Sequence, residues 1–152
     1  MTTEAPRQAD SDYGLLELDR GQCLSLLASA PIGRLVLNGL PAPSVLPVGF
    51  VLHAGAIHIR TRQAICDDAV KDGVLAAFEA DAFDAGTRTG WSVVVLGRPA
   101  LVTDRLVLDQ VDALALRAWA SGDRDSVLRI PVELVSGRRV GSGPLHAMPP
   151  AP

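Results

Sequence analysis

Short apolar runs separated by turn residues dominate this chain. GRLVL (33–37), SVLPVGFVL (44–52) and AIHIRT (56–61) follow one another, punctuated at Asn38-Gly39 and Ala54-Gly55, which predicts a meander of strands. VLAAFEA (74–80) reads as a further strand after a short helix over 66–72 that Gly73 ends. FDAGTRTG (83–90) is a polar turn region, and WSVVVLGRPALVTD (91–104) carries the longest strand signal. Residues 93–96 are apolar on both faces, so that strand is expected to be central or to pack against a second subunit. Gly97 marks a bulge or bend within it. The last run, VLRIPVELVSGRRV (127–140), alternates. Leu128, Ile130, Val132 and Leu134 should point inward, with Arg129 and Glu133 outward, on a sheet with one wet face.

Helical spacing occurs in two longer places. Over 19–29, Asp19 can cap, Gln22 is the capping-box partner three residues on, and Leu18 can staple against Cys23. Leu24, Leu27 and Ala28 give the apolar face, and Pro31 stops the helix. Over 105–120, Asp104 caps and Gly122 ends a helix whose face is Val107, Val111, Leu114 and Ala118, with Trp119 beside it. About six strands and two main helices joined by short turns predict a mainly β fold, an antiparallel barrel with helices on its outside.

The chain has 152 residues, 48% apolar and 20% charged, enough for one domain that buries roughly two-thirds of its unfolded surface. That domain is expected over 15–140, between a polar leader (1–14) and a Gly- and Pro-rich tail (141–152), both read as disordered. Formal net charge is −3 with no long block of either sign, which argues against nucleic acid or an anionic membrane as partner. Thirteen arginines stand against one lysine, Lys71. The guanidinium fork suits phosphate or carboxylate, although GC-rich codon usage gives the same excess. No run resembles a signal peptide or approaches the roughly 18 apolar residues of a membrane span. The two cysteines, Cys23 and Cys66, form no CxxC, so a cytoplasmic protein with reduced thiols is expected.

Few residues suggest chemistry on their own. His53, His58 and His146 lack ligand spacing, so no metal site is expected. GxSxG, Walker A and Rossmann patterns are absent from the sequence. Cys66 at the start of the predicted 66–72 helix could feel the helix dipole, but Asp67 and Asp68 would oppose it, and an inert thiol is the better reading. Arg60-Thr61, ending a strand just before a helix, offers guanidinium, hydroxyl and helix N–H groups to an anion. The plainer alternative pairs Arg60 with a surface carboxylate. Trp91-Ser92 opens the central strand, where a Trp is more often packed than stacked on a ligand.

Taken together, CLSLLASAPIGRLVL (23–37), SVLPVGFVL, IHIRT (57–61), FEADAFDAGTRTGWSVVVLGRPALVTD (78–104) and RIPVELVSGRRV (129–140) resemble the pyridoxamine phosphate oxidase-like family, in its small actinobacterial-type branch. The resemblance implies a six-stranded antiparallel split β-barrel of Greek-key connectivity with two to three flanking helices. It also implies a homodimer with a flavin site at each end of the interface, holding FMN, or in some relatives a deazaflavin or haem-type ligand, and usually an oxidoreductase role. By that resemblance Arg60 and Thr61 lie near the flavin phosphate, Pro47 and Val48 run along the isoalloxazine ring, and Trp91 and Ser92 approach from the partner subunit.

One departure stands out. Where the family places Gly, a hydroxyl residue and a base after Arg-Thr, this chain has Ala64, Ile65 and Cys66, followed by Asp67 and Asp68. Two carboxylates beside a phosphate would cost about a kcal/mol or more. The lost charge-assisted contact would cost roughly 1.5–3 kcal/mol, which together is about a hundredfold in affinity. Arg62 is placed to compensate. Three functions are therefore open. The first is an oxidoreductase binding FMN or deazaflavin and moving a hydride to a small substrate, the protein mainly orienting the ring. The second is a dimer with an altered, neutral or cationic ligand. The third is a cofactor-free dimer with a structural or regulatory role. Residues 64–68 favour the latter two, and intact Arg60, Thr61, Trp91 and Ser92 favour the first.

Overall fold

A computed structural model describes residues 15–39, 41–114 and 126–141. The described chain is mainly β, with three helices and nine strands. The strands are β1 (Leu15–Leu18), β2 (Ile32–Leu37), β3 (Ser44–His53), β4 (Ala56–Thr61), β5 (Ala76–Asp84), β6 (Thr89–Gly97), β7 (Ala100–Leu101), β8 (Ser126–Pro131) and β9 (Leu134–Val140). Helix α1 spans Arg20–Ser29, α2 Gln63–Val70 and α3 Arg105–Ala113. The strands form one antiparallel sheet ordered β1-β9-β6-β5-β2-β3-β4-β8-β7. No described ladder joins β1 to β7, so the sheet is open rather than closed into a barrel.

Nine strands stand where about six were expected, for local reasons. The 91–104 run breaks after Gly97 and resumes as two-residue β7. The 127–140 run breaks at Val132–Glu133, where Val132 N–H donates to the Gly55 carbonyl (3.0 Å) and Glu133 N–H to the Pro131 carbonyl (2.9 Å). That turn resets the alternation. Leu128, Ile130 and Val132 are buried as expected, but Leu134 emerges 61% exposed. Strand β1, not anticipated, pairs along β9 from Leu15 opposite Val140 to Leu18 opposite Gly137.

The sheet bends over on itself through long β3. Ser44–Gly49 pair with β2, whereas Phe50–His53 pair with β4. Leu35, Phe78, Val93 and Val95 from one half and Ile57, Ile59, Leu128 and Ile130 from the other share one fully buried core. Phe50 and Phe78 meet edge to face at 4.7 Å between centroids, a favoured arrangement of ring quadrupoles. Gly97 lies where the halves approach closely: a Cβ there would run into the Pro131 carbonyl. The β3–β4 hairpin turns on Ala54 and Gly55, both with positive φ (48° and 70°), the conformation of a two-residue turn matched to strand twist.

Helix α1 starts on the predicted capping box. Gln22 N–H donates to Asp19 Oδ1 (2.8 Å), and Asp19 N–H to Gln22 Oε1 (2.9 Å). Asp104 caps α3 by accepting from Leu106 N–H at 2.8 Å. Within α3 only Val111 is buried, and Leu114, expected on the apolar face, is 48% exposed. The remainder of the helix expected to 120 (Ala118, Trp119 and the Gly122 stop), the leader 1–14, the tail beyond Gly141 and His146 lie outside the described residues. No described helix is long and apolar enough to cross a membrane.

Candidate functional site

The end of β4 leaves its neighbour β3. Their ladder runs from His53 opposite Ala56 to Phe50 opposite Ile59. Beyond it, among the described residues, Arg60 and Thr61 pair only with Val127 and Ser126 of β8, while Pro47 and Val48 pair only with Arg34 and Gly33 of β2. A fork opens between the two strands, and four of the residues singled out from the sequence line its arms. Pro47 fits there because this stretch of β3 has no described partner on its other edge, where a missing N–H breaks no ladder. Pro47 is exposed and Val48 half-buried.

The Arg60 side chain, half-buried, is ion-paired with Asp112 of α3. Thr61 is 3% exposed and sits opposite Ser126. Ser126 Oγ donates to Gln63 Oε1 at 2.6 Å, and Gln63 Nε2 donates to Asp67 Oδ1 at 2.7 Å. Ser126, Gln63 and Asp112 were not found from the sequence, because each joins the site through a long-range partner.

Helix α2 begins three residues before the expected 66–72, and this changes the chemistry of the corner. Arg62, extended and exposed, is its N-cap residue and supplies no side-chain cap. Its carbonyl accepts from Ile65 and Cys66 N–H (3.0 and 3.3 Å), leaving the first-turn N–H groups at 63 and 64 without a helical acceptor. The positive end of the helix dipole therefore sits beside Arg60 and Arg62. Asp67 and Asp68 are the fifth and sixth helical residues, over a turn away, and are engaged by Gln63 and by Lys71 (3.3 Å). The penalty expected from these two carboxylates is correspondingly smaller. Cys66 is not at the helix start. It is the fourth helical residue and fully buried, and burial, with Asp67 adding, pushes its thiol up to about 11.

Trp91 and Ser92 are not at the fork of their own chain. They lie on β6, three ladders from β3. Trp91 is 3% exposed within the main core, and Ser92 lies on the opposite face, level with Asp81 of β5 and Arg138 of β9. Among the described residues no group of three or more His, Cys, Asp or Glu could hold a metal ion. His58, on β4 two residues before Arg60, is 1% exposed, and neither ring nitrogen makes a well-formed hydrogen bond among the described residues.

Thr61 lies on the face of β4 opposite to Arg60, so the groups left to meet an anionic group are the guanidiniums of Arg60 and Arg62 and the N-terminus of α2, which no side chain caps. A flavin phosphate is such a group. The family model for pyridoxamine 5'-phosphate oxidase matches residues 19–139, a stretch containing every one of these residues. The chain belongs to the pyridoxamine 5'-phosphate oxidase family. An uncharacterized family relative from Mycobacterium tuberculosis is 37% identical over 131 residues, covering 83% of this chain and 86% of its own. The fold of this family member is also similar to the FAD binding protein of Mycobacterium smegmatis, with TM-score 0.71 and 27% identity over 84% of this chain and 100% of that one. A Corynebacterium diphtheriae protein of unknown function is 32% identical with TM-score 0.65, covering 84% and 98%.

Proposed function

We propose that this chain is a flavin-binding, oxidoreductase-type member of its family. Its phosphate corner is Arg60 and Arg62 with the first turn of α2, and its ring edge is Pro47 and Val48 on the open side of β3. The observation that supports this reading is the fork itself, where the end of β4 that carries Arg60 and leads into α2 parts from β3 after Phe50. FMN is the ligand taken as the reference. FAD and a deazaflavin are the variants, and the FAD binding of the Mycobacterium smegmatis neighbour makes the first of these the next to test. When bound, the flavin supplies hydride transfer to a small substrate. This chain's residues hold the phosphate and orient the ring.

The open sheet is read as a split barrel that acts as a homodimer in the cytoplasm. Val45, Val36, Ala77, Leu96 and Leu134 stand in register across five strands on the face turned away from the core, with Val45 and Leu134 59% and 61% exposed. An apolar row of this kind marks an interaction surface. The competing reading is a cofactor-free or altered-ligand dimer with a binding or regulatory role, and it is favoured by Arg60 already having a carboxylate partner in Asp112. Titration of the wild type and Arg60→Ala with FMN separates the two. The expected loss for Arg60→Ala is at least about tenfold, the low end of a charge-assisted contact, and unchanged affinity would remove Arg60 from the site.

A further inference from the structure

Helix α3 lies against the β3–β4 hairpin and meets it with charge. On either side of buried Val111, two polar side chains tie this helix to the β3–β4 hairpin. Gln110 Oε1 meets His53 Nε2 at 3.0 Å, and Asp112 is ion-paired with Arg60. Beneath them the helix rests on a small apolar cluster separate from the main core, built on Val111 and Val127 with Val51, Val102 and Leu108 around them. Of the ion pair, the Arg60 side chain is 21% exposed and that of Asp112 57%. The guanidinium is held by its strand, while the carboxylate meets it from the more solvated side. An anion arriving from solvent meets the same guanidinium.

We propose that Asp112 is a specificity-determining residue of this site, competing with the ligand's phosphate for Arg60. The inference rests on the phosphate corner proposed above. A carboxylate and a phosphate both suit the arginine fork, so one displaces the other. The internal carboxylate lowers the affinity for phosphate-bearing flavins and leaves the affinity for an unphosphorylated ring untouched. Asp112 thus narrows the gap between FMN and riboflavin, and a ligand whose phosphate takes Arg60 releases Asp112 from its ion pair.

The test is a double-mutant cycle on Arg60 and Asp112 with three probes: FMN, riboflavin and inorganic phosphate. D112N preserves side-chain shape at an exposed position, and an unchanged circular dichroism spectrum confirms that it folds. An exposed pair of this kind is worth up to about fivefold in a binding constant. D112N should therefore tighten FMN about fivefold, leave riboflavin within about twofold, and have no effect on FMN once Arg60 is alanine. Weakened or unchanged FMN binding, or equal tightening of FMN and riboflavin, would overturn the proposal. If the wild type retains no flavin, the flavin reading fails by itself. The competition is then read from the phosphate concentration that half-saturates thermal stabilisation at fixed ionic strength. That concentration should fall about fivefold in D112N but not in R60A/D112N, and equal midpoints in wild type and D112N would overturn it.

Discussion

Lowering the pH below about 6.5 should weaken this fold through His58, and His58→Leu should abolish that part of the acid sensitivity. The imidazole is 1% exposed, and neither nitrogen makes a well-formed hydrogen bond among the described residues, the Ala56 backbone offering only a weak one. Burial, with the His53 and Arg129 charges adding, depresses its pKa from 6.5 to about 4. His53 approaches from β3, its ring centroid 5.9 Å away, and Arg129 is the directly opposed residue on β8. A group depressed in the folded state gives stability that is complete above its unfolded pKa and is lost as pH falls, because the unfolded chain takes up the proton first. Between pKa values of 6.5 and about 4 the loss is about 1.4 kcal/mol at pH 5.5 and about 2.5 kcal/mol at pH 4.5. Leucine is close in size and removes two poorly satisfied polar atoms, a change that is neutral or stabilising at pH 7.5. Urea unfolding of wild type and His58→Leu at pH 7.5, 5.5 and 4.5 measures the difference directly, since carboxylate contributions are common to both. The gap in favour of leucine should widen by those amounts as pH falls. Parallel stability curves would mean that His58 is solvated or paired, and would refute the reasoning.

Three other outcomes follow from the packing. Leu134→Asp, at a position 61% exposed in the single chain, should shift a dimer towards monomer in light scattering while changing monomer stability by no more than about 0.5 kcal/mol; an unchanged dimer would place the interface elsewhere. Gly97→Ala should destabilise the fold by more than about 2 kcal/mol, since its methyl group would meet the Pro131 backbone carbonyl, an overpacking that neither strand relieves by a rotamer change. A melting temperature within a degree of wild type would contradict that close approach. Both thiols should be silent to a disulfide reagent at pH 8 in the native protein and react fully in denaturant, because both are buried and burial raises both pKa values; a fast-reacting native thiol would contradict the burial.

What could be read from the sequence was local. The Asp19–Gln22 box and the Asp104 cap join residues two or three positions apart, and both form as expected. Arg60, Thr61, Pro47 and Val48 could be placed because they end or lie within strands whose turns are marked. The start of α2 could not, since Arg62 supplies no capping side chain and nothing in Arg62-Gln63-Ala64 announces a helix. The break between β8 and β9 was hidden for the opposite reason. Apolar alternation continues through Pro131–Glu133 in the sequence while the turn reverses which residues face inward. Asp112 stands 52 residues from Arg60 and Ser126 63 from Gln63, and no spacing rule connects such pairs. Short β1 and β7 owe their existence to the neighbouring strands β9 and β8 rather than to any pattern of their own.

The most direct test of the central claim is the visible spectrum of the purified protein after incubation with excess FMN and gel filtration, repeated with FAD. A flavin-binding protein of the kind proposed keeps the absorption bands of oxidised flavin in its dimer peak and retains less flavin in Arg60→Ala. A colourless dimer from which FMN and FAD both separate completely would contradict the claim and leave the cofactor-free reading in its place.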